Sequence, residues 1–170
     1  MLIRNLIAGV AVAGATAACT TLDPMPVANA RDCFYPACAL DVEVVDDGKG
    51  GKKLKVDGDG NVRMGTRHRL VAIVWNLKTP GYEFRGDSIA PRAGTPPSGL
   101  PPTPRGAWSQ AIVPHGYWYD SISVTSMNTE RQLLNYEITV YPSRGTPGDQ
   151  VTAVAAIMND PCPYTAAVCR

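Results

Sequence analysis

The amino-acid sequence predicts an all-β protein, namely a single antiparallel β-sandwich of immunoglobulin-like class with about seven or eight strands. Apolar and polar residues alternate with a period of two in several short segments, as in strands with one buried face. Turn-forming clusters separate these segments at intervals of roughly ten residues, which is typical of sandwiches. The 170 residues include 15 Pro and 16 Gly, which favours turns over long helices.

The first half of the chain predicts a hairpin followed by a short strand. Residues 32–45 end in an alternating segment with one apolar face, and residues 52–57 alternate in the same way. The cluster DDGKGG at 46–51 lies between them and supplies the turn. A second turn cluster, DGDGN at 57–61, precedes strand-like spacing at 62–64, so the chain is expected to reverse again there.

Residues 69–84, RLVAIVWNLKTPGYEF, form the longest apolar run after the N-terminus and predict the central strand. A buried helix is the alternative, because a short apolar run does not settle the period. The β-branched residues and the Pro80-Gly81 turn favour the strand. Both of its faces are apolar, which predicts that both are covered. One face is Val71, Ile73, Trp75 and Leu77, and the other is Leu70, Ala72 and Val74.

The second half of the chain starts with a Pro-rich loop and returns to strands. Six Pro and three Gly among the seventeen residues at 91–107 predict a long surface loop, which is either functional or disordered. Residues 118–126 predict a strand with Trp118 on its buried face. Residues 133–141 show the cleanest alternation, and residues 151–158 predict a last strand that is buried on both faces.

The N-terminus has the layout of an export signal. Arg4 precedes an uncharged segment at 6–18, whose 13 residues are too few for a bilayer span, which needs about 20. Thr16-Ala17-Ala18-Cys19 then resembles the lipobox of bacterial lipoproteins, although that family prefers Leu where Thr16 stands. The resemblance implies lipidation of Cys19, palmitate included, with residues 1–18 as signal peptide, 19–31 as tether and 32–170 as sandwich domain.

The same resemblance predicts an address. Thr20 stands where Asp would signal inner-membrane retention in Gram-negative lipoproteins, so the implied location is the outer membrane, facing the periplasm. The membrane is then a partner through the lipid anchor. Ordinary signal-peptidase cleavage after Ala17 or Ala30 is the alternative and would leave a periplasmic or secreted protein. An uncleaved helix is the third option.

Four cysteines remain when Cys19 is set aside, an even number that suits disulfides in an oxidising compartment. Three pairings are possible. Local pairing is favoured because each close pair flanks an irregular stretch, whereas crossed pairing would join the first strand to the C-terminal tail. The disulfide candidates are Cys33, Cys38, Cys162 and Cys169.

No metal, cofactor or catalytic site is predicted. Asp57, Asp59 and Asn61 resemble the start of a calcium loop, but Val62 and His68 stand where an EF-hand needs Gly and Glu, so a turn is favoured. The two histidines, His68 and His115, could join Met64, Met127 or Met158 in a copper site, but no spacing fixes them together. A Ser121, His115 and Asp120 set has poor geometry, because neighbours on a strand point to opposite faces.

The aromatic residues near the Pro-rich loop predict a binding surface for an envelope protein or a glycan. Its candidates are Tyr82, Trp108, Tyr117 and Tyr119. The alternative is that Trp118 is a core residue and the tyrosines only flank strands. The Pro-x-x-Pro of Pro101 and Pro104 could also dock an aromatic groove. Nucleic acid is not expected as a partner, since a net charge of +1 offers no basic patch.

Two segments resemble small exported proteobacterial proteins of unknown function. They are the Trp75-to-Phe84 run and the strand LNYEITV at 134–140. The resemblance implies a sandwich and adds no activity. The predicted function is a lipid-anchored cell-envelope protein with a non-catalytic binding or structural role. The alternatives are a periplasmic sandwich that binds a small ligand or metal, and a hydrolase.

Overall fold

The computed structural model describes residues 29–33, 36–65, 69–92, 106–145 and 149–160, and most of them form strands. The strands are β1 (Arg31–Asp32), β2 (Ala37–Asp46), β3 (Lys52–Val56), β4 (Val62–Met64), β5 (Leu70–Leu77), β6 (Tyr82–Glu83), β7 (Ile89–Pro91), β8 (Ile112–Trp118), β9 (Ser121–Met127), β10 (Gln132–Pro142) and β11 (Val151–Asn159). One short helix, α1 (Ala107–Ala111), precedes β8. Within these ranges, no helix has the length and apolar character needed to cross a bilayer.

The strands form two sheets whose inner faces share one core, which confirms a β-sandwich-like chain. Sheet I has the order β1-β4-β11-β10-β6, with β7 also paired to β10, and sheet II has the order β3-β2-β5-β9-β8. The prediction of purely antiparallel pairing is wrong, because β1 with β4, β4 with β11, and β2 with β5 run parallel. After the β2–β3 hairpin the chain leaves sheet II for β4 and returns as β5. Such a crossover permits parallel neighbours, which a tight hairpin does not.

The central strand is β5, as predicted, and its inner face is the middle of the core. Val71, Ile73 and Trp75 are fully buried, and Leu77 closes the row. The Trp75 ring meets Tyr136 of the opposite sheet edge-on, with centroids 5.6 Å apart, so the two sheets interlock through this aromatic pair. The outer face of β5 is only half-buried, contrary to the prediction that both faces are covered. In a two-layer sandwich each sheet packs against the other through one face alone, so the outer face of sheet II has no layer above it.

The turn at 57–61 fastens sheet I to sheet II. The Asp57 carboxylate accepts the backbone N–H of Asp41 in β2, at 3.2 Å. The Asn61 side-chain oxygen accepts the backbone N–H of Ala156 in β11, at 3.0 Å. The Gly60 carbonyl accepts the Tyr136 hydroxyl. The cluster is therefore a turn, as predicted, and its side chains hold strands on both sides of the core in register.

A disulfide joins Cys33 to Cys38, which confirms local pairing for this pair. Both half-cystines are buried, and they connect the end of β1 in sheet I with the start of β2 in sheet II. The bond thus lies where the chain passes between the layers. Cys19, Cys162 and Cys169 lie outside the described residues, as do the predicted signal and residues 93–105 of the Pro-rich loop.

The last strand, β11, is buried on much of both faces, as predicted. Ala155 and Ile157 point into the main core. On the other side of sheet I, Leu133, Ala156 and Met158 form a small separate cluster in which each residue is buried. An apolar pattern on both sides of β11 therefore corresponds to two distinct clusters.

Candidate binding surface

A cleft opens at the edge of the sandwich, between β7 of sheet I and the β8–β9 pair of sheet II. Its cavity volume is about 70 Å³. That space exceeds what a single water needs, yet it is small for a complete drug-sized ligand, so it suits one ring or side chain. Residues lining the cleft are Gly86, Ile89, Trp108, Ile112, Pro114, Gly116, Tyr117, Ile122, Ser123 and Val124.

The helix α1 places Trp108 in this cleft. Ala107 and Ala111 are buried against the core, so the short helix is held by its small side chains. Trp108 then lies against Tyr136, with ring centroids 6.0 Å apart, and its remaining face borders the cleft. This indole is half-buried, which gives the cleft an aromatic wall that is already fixed by the core.

Tyr117 forms the opposite aromatic wall of the cleft. It pairs with Ile122 across β8 and β9, so it shares the inner face of sheet II with that core residue. Its ring lies over the Gly86 backbone, where an added Cβ would stand 3.4 Å from Tyr117 Cε1. Because β8 is the edge strand, 51% of Tyr117 is still exposed. The ring can therefore contact a bound molecule without rearrangement.

Trp118 is not a core residue, so that expectation is wrong. It is 77% exposed, because β8 ends at Trp118 and β9 begins at Ser121. The predicted strand at 118–126 includes this tight turn, so its alternation places Trp118 on the buried face, where it does not lie. In the structure Trp118 pairs with Ser121 across the turn and lies on the outer face of sheet II.

The four predicted aromatic candidates do not form one cluster. Trp108 and Tyr117 line the cleft together, whereas Tyr82 and Tyr119 do not line it. Tyr82 belongs to β6 in sheet I and is packed, half-buried, against the core. Tyr119 is 74% exposed in the β8–β9 turn, where its carbonyl accepts the Phe84 N–H at 2.8 Å. The exposed aromatic residues are consequently the consecutive Tyr117, Trp118 and Tyr119, which we call the aromatic turn; Tyr117 faces the cleft and Trp118 lies on the outer face of sheet II.

The outer face of sheet II carries a polar row beside the aromatic turn. Trp118 pairs with Ser121 of β9, Ser121 pairs with Asn76 of β5, and Asn76 pairs with Asp41 of β2. Directly paired residues point to the same side of a sheet, so the four side chains form one line across four strands. Lys78 pairs with Asp41 at 3.1 Å and neutralises the end of this row.

Groups that could catalyse a reaction are not brought together in the described residues. His115 Nε2 contacts Thr125 Oγ1, and both lie on the outer face of sheet II. Ser121 is four residues from Thr125 on the same strand, a separation of about 13 Å. The hypothetical Ser121, His115 and Asp120 set is therefore not assembled. Acid–base or nucleophilic catalysis needs such groups within hydrogen-bond reach.

The part of the chain that the structure describes holds no cluster of side chains suited to bind a metal ion. It contains no group of three or more His, Cys, Asp or Glu able to hold an ion. The Asp57 carboxylate accepts from Arg31 at 2.7 Å, and the Asp59 carboxylate accepts from the Asn29 amide at 2.7 Å. Both carboxylates thus stabilise the turn at 57–61 through these hydrogen bonds. His68 lies outside the described residues.

A charged and aromatic group flanks the cleft on the sheet I side. The Arg85 guanidinium lies 4.5 Å from the Tyr141 ring centroid and pairs with Glu83 at 3.0 Å. The Tyr141 hydroxyl donates to Asp87 at 2.9 Å. Partial burial, followed by this hydrogen bond, raises the pKa of the Tyr141 phenol above its ordinary value. The Tyr141 hydroxyl is already engaged in its hydrogen bond to Asp87.

Comparison with known proteins adds little to this description. No family model matches the sequence, and no curated protein matches it. Among solved structures, reduced rusticyanin is similar over 76% of this chain and 84% of its own, with 9% identity and a TM-score of 0.34. A likeness at this level carries no argument about the fold or the function.

Proposed function

We propose that the protein is a non-catalytic binding protein of the bacterial cell envelope, anchored by a lipid on Cys19 and displayed on a tether at 19–31. The binding surface is the aromatic turn with the adjoining cleft. We also propose that the sandwich is immunoglobulin-like. The two facing sheets that share one core support this proposal.

The single observation that supports binding is the exposure of three consecutive aromatic residues, Tyr117, Trp118 and Tyr119, at 51%, 77% and 74%. Large aromatic side chains that stay exposed in a folded domain are typical of interaction sites, because each one offers a broad apolar surface and a polar tip. Tyr and Trp are also the residues most enriched in binding hot spots. The backbone around them is fixed, since Asp120 and Tyr119 carbonyls accept hydrogen bonds from Leu77 and Phe84.

The anchor is supported by the lipobox-like Thr16-Ala17-Ala18-Cys19 and by the Cys33–Cys38 disulfide, which suits an oxidising, exported compartment. Mass spectrometry of the N-terminus of protein purified from membranes tests it. The expected N-terminal residue is Cys19 carrying acyl chains, and Cys19→Ser is expected to release the protein into the soluble fraction. A mature chain that begins further downstream, for example after Ala30, would overturn the anchor.

Photo-crosslinking in intact cells tests the binding surface. A photoreactive amino acid replaces Tyr119 in one variant, and Glu130 in a control variant, because Glu130 is also exposed but follows the opposite end of β9. The expected result is a discrete crosslinked product from position 119 and none from position 130. Equal crosslinking at both positions, or none at 119, would contradict the proposed surface.

A further inference from the structure

We propose that the outer face of sheet II binds a polysaccharide built of uncharged pyranose rings, which stacks on Trp118 and lies along the row Ser121, Asn76 and Asp41. This inference rests on the proposed binding function and names its ligand class. This face is formed by the outward residues of β2, β5, β9 and β8, which are neighbouring strands in that order.

The shape of this face fits an extended, flat ligand. Trp118, Ser121, Asn76 and Asp41 lie on adjacent strands, so the row spans three inter-strand spacings of about 4.8 Å, or about 14 Å. On the side of the row away from the aromatic turn, the next outward positions are Gly116, Ser123, Val74 and Ala39, none of which is charged or aromatic. On that side a chain of flat rings can therefore lie close to the sheet.

The chemistry of the row fits a ligand rich in hydroxyl groups. None of the described residues hydrogen-bonds to the Ser121 hydroxyl or to the Asn76 amide, although both are only half-exposed. The Asp41 carboxylate keeps lone pairs beyond its ion pair with Lys78. The row thus offers donors and acceptors to sugar hydroxyls, while the indole face receives the C–H face of a ring.

Two other occupants fit this face less well. A second copy, packed sheet on sheet, would cover about 450 Å² of this face, which is four strands of about seven residues with each strand about 4.8 Å wide. A stable protein interface buries about 800 Å² per partner around an apolar centre. Here the centre consists of hydroxyl, amide and small side chains, and Leu70 and Val113 lie toward one end.

An anionic lipid or a nucleic acid would need a net positive charge on this face. The charges of Lys78 and Asp41 cancel, so the row offers none.

Titration of the purified full chain with chitohexaose and cellohexaose tests the inference, with calorimetry and intrinsic tryptophan fluorescence as readouts. Binding of at least one sugar is expected, with a blue shift of the emission because the exposed Trp118 becomes covered. Trp118→Ala is expected to weaken binding about tenfold or more. Asn76→Ala is expected to weaken it about three- to tenfold. Trp118→Phe is expected to retain most of the affinity, since a ring remains.

Glu130→Ala serves as the control, because this exposed residue lies beyond the opposite end of β9, and it is expected to bind like the wild type. Circular dichroism checks that each variant is folded. We expect Trp118→Ala to fold, because Trp118 is exposed and contributes little to the core. The inference is overturned if neither sugar binds, or if Trp118→Ala and Asn76→Ala bind like the wild type. Failure to bind sugars combined with protein crosslinking at position 119 would refute the glycan and leave the proposed function intact. Sugar binding by a protein whose Cys19 carries no acyl chain would refute the proposed lipid anchor and leave the glycan site intact.

Discussion

The hydroxyl of Tyr136 donates a 2.5 Å hydrogen bond to the backbone carbonyl of Gly60, 76 residues earlier in the chain. Tyr136 is fully buried in β10, and Gly60 ends the turn that connects β3 to β4. The bond therefore ties a turn at the rim of the sandwich to the aromatic centre of the core, where Tyr136 also meets Trp75. The consequences for stability can be measured separately from any function.

Replacing Tyr136 with Phe is expected to destabilise the fold by about 1–2 kcal/mol, because the buried Gly60 carbonyl loses its partner. Urea unfolding followed by circular dichroism measures this change. Tyr141→Phe is the matched control, since its hydroxyl bonds to Asp87 at the surface, and a change below about 0.5 kcal/mol is expected. Equal effects from both variants would show that the Tyr136–Gly60 bond has no special importance.

Stability is expected to fall at alkaline pH. Burial raises the pKa of the Tyr136 phenol well above its ordinary value of 10.0. Above pH 10 the unfolded chain loses this proton while the folded chain keeps it, so the free energy of unfolding decreases as pH rises. The contribution is complete below pH 10, and the loss approaches about 1.4 kcal/mol per pH unit above it.

Unfolding measured from pH 8 to pH 11 in the wild type and in Tyr136→Phe tests this assignment. The variant lacks the ionisable group, so its stability should decline less, and the difference between the two proteins should shrink as pH rises. Parallel curves for both proteins would assign the alkaline loss to other groups.

Gly60→Ala is expected to be far more damaging than Gly48→Ala, although both glycines have a φ of +77°. A Cβ at Gly60 would lie 2.8 Å from the Ala155 Cβ and 3.1 Å from Ile138 Cδ1, whereas a Cβ at Gly48 meets nothing within 4 Å. Both variants carry the same conformational strain of about 1 kcal/mol. Overpacking adds about 1–3 kcal/mol at Gly60 alone. Thermal unfolding compares them, and similar midpoints would contradict the close packing of the turn.

The Cys33–Cys38 disulfide is expected to contribute about 2 kcal/mol, the value that the chain-entropy model gives for so short a loop. Replacing both residues with Ala and measuring unfolding without reductant tests this estimate. Peptide mapping under non-reducing conditions should find the two residues linked. It should also find Cys162 linked to Cys169, as the even number of remaining cysteines predicts. A peptide that joins Cys33 or Cys38 to the C-terminal region would contradict the local pairing.

Local sequence patterns predicted the strands well where each strand has one apolar face. Alternation of period two placed β10 to within a residue at each end, and it predicted the β2–β3 hairpin with its turn cluster. The strand β5 was predicted instead from its β-branched residues and the Pro80-Gly81 turn, because its apolar run did not settle the period. The candidate surface was predicted less well. Tyr117 and Trp108 were expected near each other and both line the cleft, but Trp118 was assigned to the core. The turn Tyr119-Asp120 has no Gly or Pro, and a single Asp is a weak signal that the strand ends there.

The sequence by itself determined which side chains face inward in strands with a clean alternation, such as β10, because burial there follows from a pattern that the chain carries locally. It also determined that the cysteines at 33 and 38 are close enough to pair. Tertiary structure alone decided that β2 and β5 run parallel and that Trp118, Ser121, Asn76 and Asp41 form one row. These residues come from four separate strands, and their adjacency depends on sheet order and register. Order and register are set by how the two layers pack, which no single segment encodes.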